Sequence, residues 1–275
     1  MDARTHCRER ASPPGSALHY ALLFEPADSA RALRALAAFR RETHDILGLQ
    51  PEPARARIGY WYQELALSSG AAARHPVTSE LAWSQARFGL DLAPLAEVLQ
   101  ASRLQLDGIG FADEAALRTH LYGSAGVLGR LAGQIGSATD AEAHALMAQA
   151  LERTAWVRGL GRALRRDQCP IPDADLAQCG LTSASLLAEQ GDDARLDELV
   201  RLQVGHARSL LAAARGALPA GRGSGRGPDT RALRALAAMS DRLLDELERA
   251  GRQVFHTHIR LGPIMKLMCA WRARR

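Results

Sequence analysis

Residues 140–167, DAEAHALMAQALERTAWVRGLGRALRRD, read as one long helix. Alanine and leucine dominate the stretch, and both favour helix: Ala has no side-chain entropy to lose and Leu loses little. Asp140 opens it, and Pro170 and Pro172 break the chain beyond it. The same bias runs through all 275 residues, which are 47% hydrophobic but only 5% aromatic. No run alternates Val, Ile, Thr and Tyr in the manner of a half-buried strand. An all-α chain is therefore expected, with about nine or ten helices packed around one core by helix-bundle rules.

Working toward the N-terminus, Gly126, Gly129 and Gly133 recur at helical spacing inside a candidate helix from Asp113 to Gly136. Glycine costs about 1 kcal/mol against Ala in a helix, so such a face implies close approach, either of another helix or of a ligand. Leu92–Leu104 is another helical candidate. His75-Pro76-Val77-Thr78 reads as a break and cap for a helix over 79–89 that closes at Gly89, and residues 55–69 form the helix before it. Asp28-Ser29 offers an N-cap for a helix carrying Leu33, Leu36, Phe39 and Ile46, ended by Gly48 and the Pro51/Pro53 pair. Residues 1–16 are expected to be a flexible arm ending in Pro13-Pro14-Gly15, with a domain spanning 17–275 after it. Toward the C-terminus, helices are expected over 193–217, capped by Gly191-Asp192, then over 230–250 and 252–273, with a flexible loop at 219–229.

The formal charge is +5 and the basic side is almost wholly arginine. That balance speaks to solubility and acidic partners, not to fold. No nucleic-acid-binding motif is present, and no nucleic-acid partner is expected. Cys7, Cys169, Cys179 and Cys269 form neither a C-x-x-C pair nor a zinc spacing, so reduced thiols are expected. The first residues lack the apolar core of a secretory signal, and no stretch is apolar for long enough to span a bilayer. A cytoplasmic location is expected, at most peripheral at the inner membrane.

Five strings, taken in order, resemble the squalene/phytoene synthase family. They are ALHYALLFEPADSARALRALAAFRRETHDI (residues 17–46), IGYWYQELALSSGAAARHPVTSEL (58–81), LQLDGIGFADEAALRTHLYGSAGVLGRLAGQIG (104–136), VRGLGRALRRDQCPIPDADLAQCGL (157–181) and IRLGPIMKLMCAWRARR (259–275). The resemblance implies a single isoprenoid-synthase-like domain around a central cavity. Active members join two prenyl diphosphates head to head, using two Asp-rich motifs on facing helices. Carboxylates one helical turn apart hold magnesium, a hard cation that takes oxygen ligands and neutralises the departing diphosphate.

This chain departs from both motifs. In the second, Val157-Arg158 is kept, but Gly159 and Ala163 stand where the two aspartates belong, and the spacing to Pro172 is unchanged. In the first, His44 and Gly48 occupy the aspartate positions, while Glu42 and Asp45 remain acidic nearby. No catalytic residue is assigned, and Asp45 is left as the one weak candidate for a metal ligand. No cofactor is expected, with Mg²⁺ required only if the chain is active. Arg158, Arg162, Arg165 and Arg166 crowd the second motif. Guanidinium forks hold phosphate without metal, so Arg41, Arg158, Arg162, Arg166 and Tyr122 are candidate ligand-binding residues. A solvated basic face is the competing reading.

Other residues carry less. His256 and His258 are two apart and are expected as ordinary polar positions, and Ser183 and Ser185 lack a paired base. Tyr60, Trp61 and Tyr62 suit core packing better than a pocket. The last helix sets Ile264, Leu267, Met268 and Trp271 beside Lys266 and Arg272, which fits either an acidic membrane surface or docking on the core.

Two functions follow from the resemblance. One is an accessory protein without synthase activity, binding a protein partner or an anionic or isoprenoid lipid. Phe39, Glu42 and Ile46 are similar to the pattern of a degenerate branch that includes a mitochondrial assembly factor for respiratory complex I. The other is a working prenyl transferase with altered metal ligands.

Overall fold

The computed structural model describes residues 2–68, 73–108, 110–136, 141–188, 193–217 and 231–273. Every regular element among them is helical. The order is α1 (Ala3–Ala11), α2 (Ala17–Ala21), α3 (Ala27–Ile46), α4 (Pro51–Ser68), α5 (Pro76–Phe88), α6 (Leu95–Leu106), α7 (Glu114–Leu121), α8 (Val127–Ile135), α9 (Ala141–Leu164), α10 (Asp173–Gln178), α11 (Ser183–Ala188), α12 (Arg195–Ala217), α13 (Arg231–Ala250) and α14 (Pro263–Ala273). The all-α expectation holds. The number exceeds nine or ten because short segments such as α1, α2, α10 and α11 fold separately.

α9 is the axis. Its 24 residues make a rod about 36 Å long. It packs on α8 to one side and on α12 and α13 to the other. Two large clusters of buried side chains result. One gathers α9, α12 and α13 around residues such as Met147, Leu160, Leu199 and Leu244. The other gathers α1, α3, α4, α5, α6 and α8 around Phe39, Trp61, Leu81 and Leu99. Trp61 is fully buried, edge-on to Phe39 and His75, whereas Tyr62 is exposed. Of the three neighbouring aromatics, Trp61 is the one that enters the core.

The glycine face belongs to helix contact. A Cβ on Gly129 would overlap the His144 carbonyl and lie 2.8 Å from Ala148 Cβ, and one on Gly133 would lie 3.1 Å from the His144 ring. These glycines let α8 cross α9 backbone to backbone. Gly161 does the same on the far side, where a Cβ would lie 2.7 Å from Phe255 Cα. A π-helical turn over Tyr122–Gly126 joins α7 to α8.

Local signals set several boundaries. His75 caps α5, its Nδ1 accepting from the Val77 amide at 3.2 Å, Pro76 follows at the first helical position, and Gly89 ends the helix in the left-handed conformation. α3 starts at Ala27 behind Pro26, one turn's edge earlier than an Asp28-Ser29 cap implies, and Asp28 instead lies in its first turn, where the helix dipole favours an acid. The last helix is shorter than 252–273. A 3-10 turn covers Gly251–Phe255, and α14 begins only at Pro263.

The expected flexible arm is the largest correction. Residues 3–11 form α1, capped by Asp2, with Cys7 buried against α3 and α5. Non-local ion pairs described below hold it there. The expected loop at 219–229 and the Gly191-Asp192 cap lie outside the described residues. All four cysteines are free thiols.

Candidate functional site

α1, α3 and α9 line a cavity of about 720 Å³ that is open to solvent, with Arg41, Arg162 and Arg166 exposed at it. α9 offers it one stripe, Ala155, Arg158, Gly159, Arg162 and Ala163, at the 3–4 residue spacing of a single helix face, and Arg166 joins them from the turn after the helix. α3 faces it with Ala37, Arg40, Arg41, His44 and Leu47 at the same periodicity. α1 closes one side with His6, Glu9 and Arg10, and His258 reaches in from the segment before α14. Six arginines thus line the cavity, against the carboxylates of Glu9 and Glu152.

The arginines divide into paired and unpaired. Arg10 donates through Nε to Glu42 at 2.6 Å and through an Nη to Asp45 at 2.5 Å. Arg41 also reaches Asp45, at 3.3 Å along α3. Arg40 bonds Glu152, whose carboxylate takes a further bond of 2.8 Å from the Trp156 indole N–H. Burial alone would raise Glu152, but Arg40, His44 and Trp156 together hold it below the usual carboxylate value. By contrast, among the described residues no carboxylate lies within ion-pair reach of Arg158, Arg162, Arg166 or Arg260. Arg158 Nε is buried with no hydrogen-bond partner.

The unpaired cations press on one another. Desolvation, then Arg162 and Arg260, lowers the guanidinium of Arg158. Desolvation followed by Arg158, Arg162 and Arg260 lowers His258. His44 is lowered by the water-stripping cavity wall and then by Arg40. Such a cluster is poised for an anion, whose charge relieves the repulsion.

The expected site residues are therefore partly gathered. Arg41, His44, Arg158, Gly159, Arg162, Ala163 and Arg166 all face the cavity. Gly48 lies at its edge, where a Cβ would be 3.5 Å from the Arg166 guanidinium. Arg165 turns away and donates to the Phe255 carbonyl at 3.0 Å. Tyr122 lines neither this cavity nor the apolar one described below, and its hydroxyl accepts from Arg130 at 3.0 Å. His258, read as an ordinary polar position, lines the cavity, while His256 is exposed. Sequence reasoning missed His6, Arg10, Arg40, Glu152 and Trp156. For Arg40 and Glu152 the helical spacing from His44 and from Gly159 was the available signal.

A second cavity of about 270 Å³ adjoins the first. Leu18, Leu33, Leu36, Leu128, Leu151 and Leu233 make it apolar. Ala37, Arg40 and Glu152 border both cavities, so the Arg40–Glu152 pair stands at the boundary between a basic chamber and an oily one.

A family description, squalene/phytoene synthase, matches residues 13–264. The chain belongs to the squalene/phytoene synthase family. A phytoene synthase from Arthrospira platensis is 22% identical over 286 aligned residues, covering 98% of this chain and 91% of that protein. Two solved structures share the squalene/phytoene synthase fold closely. A squalene synthase, HpnC, from Alicyclobacillus acidocaldarius superposes with a TM-score of 0.76 at 21% identity, covering 90% of this chain and 94% of that one. A dehydrosqualene synthase solved with a ligand superposes with a TM-score of 0.80 at 16% identity, covering 99% and 95%.

The metal this family implies does not fit the residues present. α9 offers Gly159 and Ala163 to the cavity in place of oxygen donors, with Arg158, Arg162 and Arg166 around them. The remaining acids of the first motif, Glu42 and Asp45, already accept from Arg10. Magnesium requires several hard oxygen ligands in near-octahedral array, and no such set faces the cavity among the described residues. Asp45, the one candidate ligand, is held by two guanidiniums. Two other groupings of metal-capable side chains are already engaged. In His6–Glu42–His75, Glu42 accepts from Arg10 and His75 Nδ1 caps α5. In Glu114–Asp175–His206, the buried Arg153 lies 3.0 Å from Glu114 and 3.7 Å from Asp175.

Proposed function

We propose that this chain is an accessory member of its family without synthase activity, holding a phosphorylated isoprenoid lipid through arginine rather than through magnesium. One observation carries the reading. Arg158, Arg162 and Arg166 line the chamber unpaired, around the positions from which the two carboxylates are missing. Guanidinium forks match phosphate oxygens and keep their charge at any physiological pH. The adjoining apolar cavity supplies a place for a hydrocarbon tail. An anionic head on an oily chain is the ligand chemistry that uses both.

The test is calorimetric titration of farnesyl diphosphate into the purified chain in EDTA, followed by product analysis with Mg²⁺ added. Binding without metal is expected, weakened at least about tenfold in Arg162→Gln/Arg166→Gln, since each charge-assisted bond is worth roughly 1.5–3 kcal/mol. No squalene- or phytoene-type product is expected. The near full-length alignment with a phytoene synthase favours a second reading, a prenyl transferase with altered ligands. Mg²⁺-dependent product formation abolished by Asp45→Ala would establish that reading and overturn ours.

A further inference from the structure

α14 is built inside out. Its inward face carries small residues, Cys269 and Ala270, buried with parts of α2 and α13. Its outward face carries large apolar ones. Ile264 is 76% exposed, Leu267 46% and Met268 40%. Of nine exposed large hydrophobic side chains among the described residues, five lie on α14, the others being Met265 and Trp271. A helix that merely closed a core would place these groups the other way round. Contiguous exposed apolar surface of this kind marks an interaction face. No helix among the described residues is long and apolar enough to cross a membrane.

Charge selects the occupant. From Arg249 to Arg275 the sequence holds seven cations, Arg249, Arg252, Arg260, Lys266, Arg272, Arg274 and Arg275, and no Asp or Glu. Arg249 and Arg252 are paired with Glu246 and Asp197, but the charged residues of α14 itself, Lys266 and Arg272, are both cations, and an apolar ridge on such a helix complements a surface that is oily beneath and negative at its rim. The helix also stands beside the basic chamber: Lys266 Nζ donates to the Gly15 carbonyl at 2.7 Å, next to Pro13 and Ser16 of the chamber's rim.

We infer that α14 docks this protein on the surface of a bilayer containing anionic lipids, its Ile264–Leu267–Met268 ridge entering the headgroup–acyl boundary. The inference goes beyond the cavity reading and does not depend on what the cavity holds.

The experiment is co-sedimentation of the full chain with phosphatidylcholine vesicles, with and without phosphatidylglycerol. Ile264→Asn/Leu267→Gln/Met268→Gln is run alongside, its fold checked by circular dichroism and by farnesyl diphosphate titration without vesicles. Expected are binding to the anionic vesicles, at least tenfold weaker binding to the neutral ones, release by salt, and a similar tenfold loss in the triple variant. A blue shift of tryptophan emission should accompany binding, because Trp271 is on the docking helix. Equal vesicle binding by the triple variant overturns the inference. So does a monomer–dimer equilibrium that the variant abolishes while vesicles bind neither form, since the ridge then covers a second copy. Either failure leaves the cavity titration standing by itself.

Discussion

Placing carboxylates at 159 and 163, where the resemblance to the family expects them, tests the charge of the chamber directly. In Gly159→Asp/Ala163→Asp the new side chains fit: a Cβ at Gly159 meets nothing within 4 Å, and Ala163 already lines the open cavity. The backbone need not move, so the change is almost purely electrostatic. A carboxylate at 159 is one helical turn from Arg162, about 5–6 Å between Cβ atoms. At an effective dielectric of about 20, a unit pair at such a distance interacts by roughly 3 kcal/mol. Arg162 is exposed, so solvent screening reduces this to about 1 kcal/mol per carboxylate. Two carboxylates facing a diphosphate should therefore weaken metal-free binding by about 2 kcal/mol, roughly 30-fold. The assay is titration of farnesyl diphosphate in EDTA, with inorganic pyrophosphate as the headgroup-only control. Affinity within twofold of the parent would refute the reasoning, because the arginines would then not be holding the anion.

Three further outcomes follow from other parts of the molecule. Gly161→Ala should lower stability by roughly 1–3 kcal/mol, because the added Cβ overlaps the Phe255 backbone, whereas Gly159→Ala in the same helix should gain up to about 1 kcal/mol; urea unfolding separates them. Burial, together with Glu80 and Glu42, pushes the Cys7 thiol up to about 12, so Cys7 should resist thiol reagents at pH 8 in the folded chain, and Arg10→Ala should speed its labelling by loosening α1. Anion binding should tighten as pH falls. His44 and His258 are held below the ordinary 6.5 by desolvation and neighbouring arginines; a bound anion raises them, and proton uptake on binding is measurable calorimetrically in buffers of different ionisation enthalpy. The same depression acts oppositely on folding. The unfolded histidines protonate first as pH drops through 6.5, so stability declines from there until the folded values are passed. A stability that rises on acidification through that window would contradict it.

How far the sequence reveals this molecule depends on how local each signal is. The limits of α5 were legible because His75, Pro76 and Gly89 act on their own neighbours. The long α9 was legible from its Ala and Leu content and the prolines beyond it, whereas Gly159 and Ala163 stood out only against the family's motif. The glycine face of α8 announced a close approach but not its partner, because the partner, His144, belongs to another helix. α1 was illegible as a packed element. Pro13-Pro14-Gly15 marks a boundary, and what holds α1 across it are contacts from Arg10 to residues 32 and 35 positions away. The Arg40–Glu152 pair spans 112 positions. Overextension of the last helix had a visible remedy, since Gly262-Pro263 is a start signal inside the expected span. Whether Arg162 and Arg166 faced water or a chamber required the placement of α3 and α1 opposite them.

Arg10 has a consequence for how the chamber answers its surroundings. A diffusing cation occupies carboxylates only as far as its supply and its competitors allow. A guanidinium carried on α1 is part of the same molecule and cannot be diluted away. Chelators and metal starvation leave Glu42 and Asp45 paired with Arg10 here. The electrical state of this end of the chamber is inherited rather than acquired. When α1 lifts, Glu42 loses Arg10 as its partner, while Asp45 keeps Arg41 of its own helix.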